Sequence, residues 1–295
     1  MSAETLRPVT RAALWMSGAV ISFMAMAIAG RELASELTTF QILFFRSCVG
    51  LVAVIALLQR SGWTQVRTRM LGTHLMRNVA HFGGQYGWFH GIALIPLTEV
   101  FAIEFTVPIW TAILATLILG ERMNRLRVLA IILGFAGILV ILRPGIATVS
   151  PGALAVLSGA AAYAIAHVLT KRLSATQTPL AILFYMTVIQ LPLGLVLALP
   201  HWVWPSTHLY PWIAVVALTA LSAHYCMARA FRLADATVVV PMDFVRLPLI
   251  SVVGVVFYGE APQVWVFVGA AIVFVGIWLN LKSVRWGGAV AGARA

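Results

Sequence analysis

Apolar stretches separated by short polar turns run the length of the chain, at about 12–30, 38–58, 71–93, 99–119, 126–142, 152–170, 178–199, 211–228, 237–258 and 263–281. Most approach the ~20 residues that an α-helix needs to cross a hydrocarbon core at its rise of about 1.5 Å per residue. Pro and Gly mark many of the turns, as in Arg143-Pro144-Gly145, Ser150-Pro151-Gly152 and Gly259-Glu260-Ala261-Pro262. No turn is long enough to hold a soluble domain. The pattern predicts an all-α integral membrane protein with ten transmembrane helices.

Composition supports the same class. Hydrophobic residues make up 61% of the chain and charged residues 10%, far from the roughly 25% charged content of soluble domains. The net charge of +11 sits in short clusters between apolar segments and forms no continuous basic surface, which argues against nucleic acid. It reads instead as topology. With a cytoplasmic N-terminus, the inside loops hold Arg60, Arg67, Arg69, Arg122, Arg125, Arg127, Lys171 and Arg172, whereas the outside loops hold only Arg31 and Arg143. By the positive-inside rule both termini are expected in the cytoplasm. The first span, with Arg7 and Arg11 before it and Ala27-Ile28-Ala29 near its end, resembles a secretory signal; it is expected to remain, because its loss would break the repeat below. Cys48 and Cys226 lie inside apolar runs and do not suggest a disulfide framework.

An internal repeat is the most informative feature. A shift of 139 residues lays Glu121 over Glu260, Gly137 over Gly276, Tyr86 over Tyr225 and Glu104 over Asp243, and shifts of 140 and 141 match Leu43-Phe44 to Leu183-Phe184 and Arg31 to Arg172. The division predicts units of about 1–148 and 149–295. Five spans per unit is an odd number, so the second unit enters the membrane from the opposite side. Inverted repeats of this kind serve alternating access in secondary transporters.

Two five-span halves, each with a Gly-Glu pair (Gly120-Glu121, Gly259-Glu260) before a Gly-rich last span (Gly134 and Gly137, Gly269 and Gly276), resemble the EamA-type members of the drug/metabolite transporter superfamily. The similarity covers about residues 12–282. Within that superfamily the chain looks most similar to bacterial inner-membrane exporters of aromatic and other amino acids. The resemblance implies a multi-pass protein of the bacterial inner membrane that exports small metabolites, amino acids first, as a monomer or weak homo-oligomer. It implies no cofactor and no metal. Nucleotide sugars and lipophilic cations are alternative cargoes of the superfamily. No Gly-x-Ser-x-Gly or His-Glu-x-x-His motif points to an enzyme.

Charges inside spans are costly and mark functional or ion-paired positions. Glu104 should lie roughly 7 Å below the outer end of the fourth span, and Asp243 at a similar depth from the inner end of the ninth. Depth alone pairs Arg46 with Glu104 and Arg77 with Asp243, and Arg246 falls on the same helical face as Asp243. Such pairs could be structural, could act as alternating gates, could couple protons, or could leave an arginine to receive a substrate carboxylate. Asn78, His81, Gln85 and Trp88 form one polar stripe of the third span, and Gly83, Gly87 and Gly91 an adjacent packing ridge. Tyr163 and His167 form a second stripe, and His224 and Ser22 stand at related repeat positions. With Phe101 and Trp110 these residues are expected to line a cavity for a small amphipathic molecule. Pro108, Pro192, Pro241 and Pro248 are candidate kinks.

Overall fold

The structure is a computed structural model that describes residues 8–119, 125–144, 149–174, 176–231, 233, 242–243 and 245–292. Eleven α-helical segments follow one another among these residues: α1 (Pro8–Leu33), α2 (Thr39–Ser61), α3 (Leu71–Leu94), α4 (Leu97–Glu104), α5 (Val107–Leu119), α6 (Arg125–Leu142), α7 (Pro151–Ser174), α8 (Pro179–Ala198), α9 (Tyr210–Phe231), α10 (Arg246–Tyr258) and α11 (Val264–Gly292). No strand occurs among the described residues. Seven stretches, including most of α1, α2, α6 and α8, are long and apolar enough to cross a membrane. Residues such as Leu14, Val52, Ile132, Val196 and Phe257 turn large apolar side chains outward. In water that surface would be unfavourable; in a bilayer it is the solvated face.

The helix α3 is inverted in pattern. Its outward positions Leu75, Met76 and Val79 are apolar, whereas His74, Arg77, Asn78, His81 and Gln85 are buried. Lipid on one side and protein on the other explain why its polar stripe faces inward. Local signals define several helix starts. Thr38 and Gln41 form a reciprocal capping box at the head of α2, and Thr178 caps α8 by accepting a hydrogen bond from the Ala181 N–H at 3.1 Å.

The principal helix pairings are α3 with α7, α6 with α11, α1 with α9, and α2 with α8. Close approach in the first pair depends on glycine. A Cβ on Gly87 would stand 2.2 Å from the carbonyl oxygen of Ala155, and one on Gly91 2.1 Å from the Val156 side chain. The expected ridge of Gly83, Gly87 and Gly91 needs one correction. A Cβ on Gly83 would meet only Ala162, at 3.9 Å, whereas one on Gly84 would stand 2.6 Å from the Tyr163 ring. The packing row is therefore Gly84, Gly87 and Gly91, and it is used inside the chain rather than kept for a second copy.

The apolar run at 99–119 is broken into α4 and α5. Pro108 has no N–H to offer the Glu104 carbonyl four residues earlier. The chain responds with shorter bonds, from Thr106 N–H to the Ile103 carbonyl at 3.0 Å and from Ile109 N–H to the Thr106 carbonyl at 2.9 Å. The break thus falls beside the intramembrane acid. Pro192 stays within α8 and Pro248 lies in the first turn of α10, while Pro241 and the Gly120-Glu121 pair lie outside the described residues.

Candidate functional site

Two polar groups occupy the interior, and Tyr163 stands between them. The first is built around Arg246. Its guanidinium is ion-paired with Asp243, one helical turn away, and reaches Glu104 Oε1 at 3.7 Å. Three rings enclose it, those of Phe23, Phe101 and Phe105, with centroids 4.6, 5.2 and 5.4 Å from the guanidinium carbon. Trp88 Nε1 donates to Glu104 Oε2 at 2.8 Å. A buried guanidinium in such a place is sustained by carboxylates and aromatic faces together.

This arrangement corrects the pairing expected from depth. Glu104 and Asp243 share Arg246, and among the described residues neither Arg46 nor Arg77 forms an ion pair. Depth along a helix does not fix azimuth, and only Arg246 lies on the face that meets both acids. Arg77 instead donates from Nε to Thr170 Oγ1 at 3.0 Å and from Nη1 to Asn78 Oδ1 at 2.7 Å. Thr170 belongs to α7, so this contact also ties the two helices of the glycine crossing together.

The second group contains Arg46, Arg77, His81, Tyr163, His167 and His224. The His81 ring lies 5.4 Å from that of Tyr163 and 6.3 Å from that of His224. His167 stacks on Tyr163 at 6.3 Å, and His224 meets Phe23 edge-on at 5.8 Å. Ser22 accepts a hydrogen bond from Ser222 at 2.8 Å across α1 and α9. Gln85 is buried, with its Oε1 unpartnered among the described residues. Trp110 departs from the central placement expected of it: it packs on Phe135 and, with Tyr86 and His90, borders an open groove of about 630 Å³ between α3, α5 and α7.

Gln190 of α8 was not singled out from the sequence. It is buried and donates from Nε2 to the Asn78 carbonyl at 3.2 Å, with His81 Nδ1 3.0 Å away. A lone glutamine within the apolar run of α8 was the available signal. Gln190 also lines a small cavity with Arg46, Ser47 and Thr187.

One end of the bundle is tied together by the second Gly-Glu pair. Gly259, at φ +64°, ends α10 in the left-handed turn that glycine adopts without strain. The turn brings Glu260 back over α10, where its N–H donates to the Gly254 carbonyl at 3.0 Å. Its carboxylate then accepts from the Leu97 N–H at the head of α4, at 2.9 Å, and pairs with Arg31 at 3.1 Å. Arg31 donates onward to the Ile95 carbonyl at 2.7 Å, and Tyr258 donates to Glu32 at 2.8 Å. At the same end Glu36 accepts from the Ser206 N–H at 3.1 Å. At the other end Thr178 donates to Gln65 at 2.9 Å and Tyr185 to the Val66 carbonyl at 2.7 Å.

Apolar helices that turn their polar and charged residues inward, with a broken helix beside an acid, are the architecture of a membrane transporter. The EamA-like transporter family model matches residues 10–143 and again 150–282, and the chain belongs to that family. It is similar to the S-adenosylmethionine uptake transporter of Rickettsia prowazekii, at 23% identity over 92% of each chain. It is also similar to the riboflavin transporter of Brucella anthropi, at 31% identity over 79% of this chain and 84% of that one. The pseudopaline exporter CntI of Pseudomonas aeruginosa is 25% identical over 87% of this chain and 91% of the relative. The protein is a multi-pass transporter of the inner membrane that acts on a small metabolite. These relatives carry names other than amino-acid exporter, so the narrower resemblance read from the sequence finds no counterpart among them.

Proposed function

We propose that the protein is a secondary transporter built from two inverted five-helix halves, about 1–148 and 149–295, and that it exports an amino acid or amino-acid derivative by alternating access. The observation that carries this reading is the buried polar centre drawn from α1, α3, α7 and α9 between lipid-facing surfaces. Both halves contribute to it. Under the sequence shift α3 corresponds to α9 and α1 to α7, so the α3–α7 and α1–α9 pairings exchange with one another, as a two-fold requires. Thr38 and Thr178, 140 residues apart, cap equivalent helices, and Ser47 and Thr187 make the same bond to the carbonyl four residues earlier. An amino acid offers opposite charges and an apolar side chain, which suits a centre with carboxylates on one side of Tyr163, arginines on the other, and rings nearby.

The riboflavin-transporter relative supports a second cargo, a heteroaromatic metabolite that would use the same aromatic lining. The two readings separate in one assay. Proteoliposomes preloaded with unlabelled compound are followed for uptake of labelled phenylalanine, threonine, methionine, S-adenosylmethionine or riboflavin. Saturable counterflow of an amino acid is expected. Counterflow of riboflavin alone would overturn the amino-acid reading and leave the two-halves architecture standing. Export is checked separately, by faster loss of preloaded label from cells that express the protein.

A further inference from the structure

Arg46 and Arg77 are each 7% exposed, and neither has a carboxylate partner among the described residues. An unpaired buried cation costs several kcal/mol in a protein interior. Arg46 lines one small cavity with Gln190, Gln190 donates to the Asn78 carbonyl, and Arg77 donates to Asn78 Oδ1, so the two guanidinium groups belong to one polar cluster and concentrate positive charge there. Arg46 makes no hydrogen bond among the described residues and borders the small cavity beside Gln190. Arg77 is held in place by Thr170 and Asn78 through Nε and Nη1, which leaves its Nη2 uncommitted. Asn78 Nδ2 is a further buried donor without a partner among the described residues.

A structural role explains this poorly. Arg77 ties α3 to α7 through Nε alone, Arg46 makes no such tie among the described residues, and the positions related to the two by the shift are Met186 and Val216, so neither belongs to the framework that the halves share. The acids are different, since Glu104 and Asp243 occupy equivalent positions and Arg246 neutralises them jointly. That sharing changes the charge balance: the two other intramembrane arginines are both left over. We infer that Arg46 and Arg77 form the seat of an oxyanion carried by the substrate, a carboxylate or a phosphate, which a guanidinium pair recognises through charge-assisted hydrogen bonds. This rests on the transporter reading but not on the amino-acid cargo.

The test uses purified full-length protein in detergent, with binding read from thermal unfolding by circular dichroism. The probes are two matched pairs: L-phenylalanine with L-phenylalaninamide, and riboflavin 5′-phosphate with riboflavin. Within a pair that binds, the member that carries the oxyanion is expected to bind about 10-fold more tightly or better, the scale of a charge-assisted hydrogen bond. Arg46→Gln and Arg77→Gln should each erase that preference, and Arg46→Lys should keep part of it; variants are compared only if they retain wild-type helicity and elute as one species. The seat is overturned if the member that lacks the oxyanion binds as tightly, if the preference survives in Arg46→Gln and Arg77→Gln, or if no member of either pair binds. A response confined to the flavin pair upholds the seat as a phosphate site and overturns the amino-acid cargo. Phenylalanine counterflow inhibited equally by the amide overturns the seat and leaves the cargo.

Discussion

At the scale of single residues, Arg246 carries two acids, and the consequences of removing each partner differ. Arg246→Gln leaves Glu104 and Asp243 facing one another without a cation. Loss of one partner from a buried charge network costs about 3–5 kcal/mol, so the variant should unfold well below wild type or fail to accumulate in the membrane. Glu104→Gln leaves Arg246 paired with Asp243, and its amide oxygen can still accept from Trp88. That variant should keep most of the stability. Thermal unfolding of both purified variants checks the order, and a larger loss for Glu104→Gln would refute it. The presence of the three charges was legible in the sequence because each interrupts an apolar run. Their pairing was not, since residues on different helices with similar depth can point in any direction around their axes. Gln190 was missed for a related reason: its partners Asn78 and His81 lie more than 100 residues away and on another helix.

At the scale of elements, apolar runs of helical length announced most of the helices, while the glycine positions in α3 show how fine the remaining information is. Spacing of four made Gly83, Gly87 and Gly91 look like one ridge. The actual row starts one residue later because α7 lies over Gly84 and presents Tyr163 to it. A discriminating pair of variants follows. Gly87→Ala drives a Cβ against the Ala155 backbone, which cannot rotate away, and overpacking of this kind costs about 1–3 kcal/mol or more. Gly83→Ala meets only ordinary contact and gains helix propensity of up to about 1 kcal/mol in a solvated helix. Thermal unfolding should therefore fall for the first and stay level or rise for the second. The Gly-Glu pair was likewise visible as a motif, but its use was hidden, because the sequence does not say that a turn at Gly259 returns Glu260 to the first turn of α4. Gly259→Ala should strain that turn by about 1–2 kcal/mol and loosen the contact with Leu97.

For the whole molecule, contacts among Arg31, Glu260 and Leu97, with Tyr258 on Glu32 beside them, fasten one end, and the charge distribution predicts which side of the membrane that end faces. The tied end holds Arg31 and Arg143, and the loops that carry Arg60, Arg67 and Arg69 lie at the other. By the positive-inside rule the tied end is expected in the periplasm, and the contacts of Glu260 would then fasten the outer side. Cysteine labelling in intact cells decides it. In a background with Cys48 and Cys226 replaced, Ser35→Cys, on an exposed position of the tied end, should react with a membrane-impermeant maleimide added from outside. Thr64→Cys, exposed at the other end, should react only after the membrane is permeabilised. The opposite pattern would reverse the orientation and put the tied end in the cytoplasm. Combined with Glu260→Gln, the same assay tests whether the tie controls access. A cysteine in place of Ser22, deep between α1 and α9, should become more reactive from outside once the Glu260 carboxylate no longer holds Arg31. Unchanged reactivity would mean that the tie fastens the loops without gating the path to the polar centre.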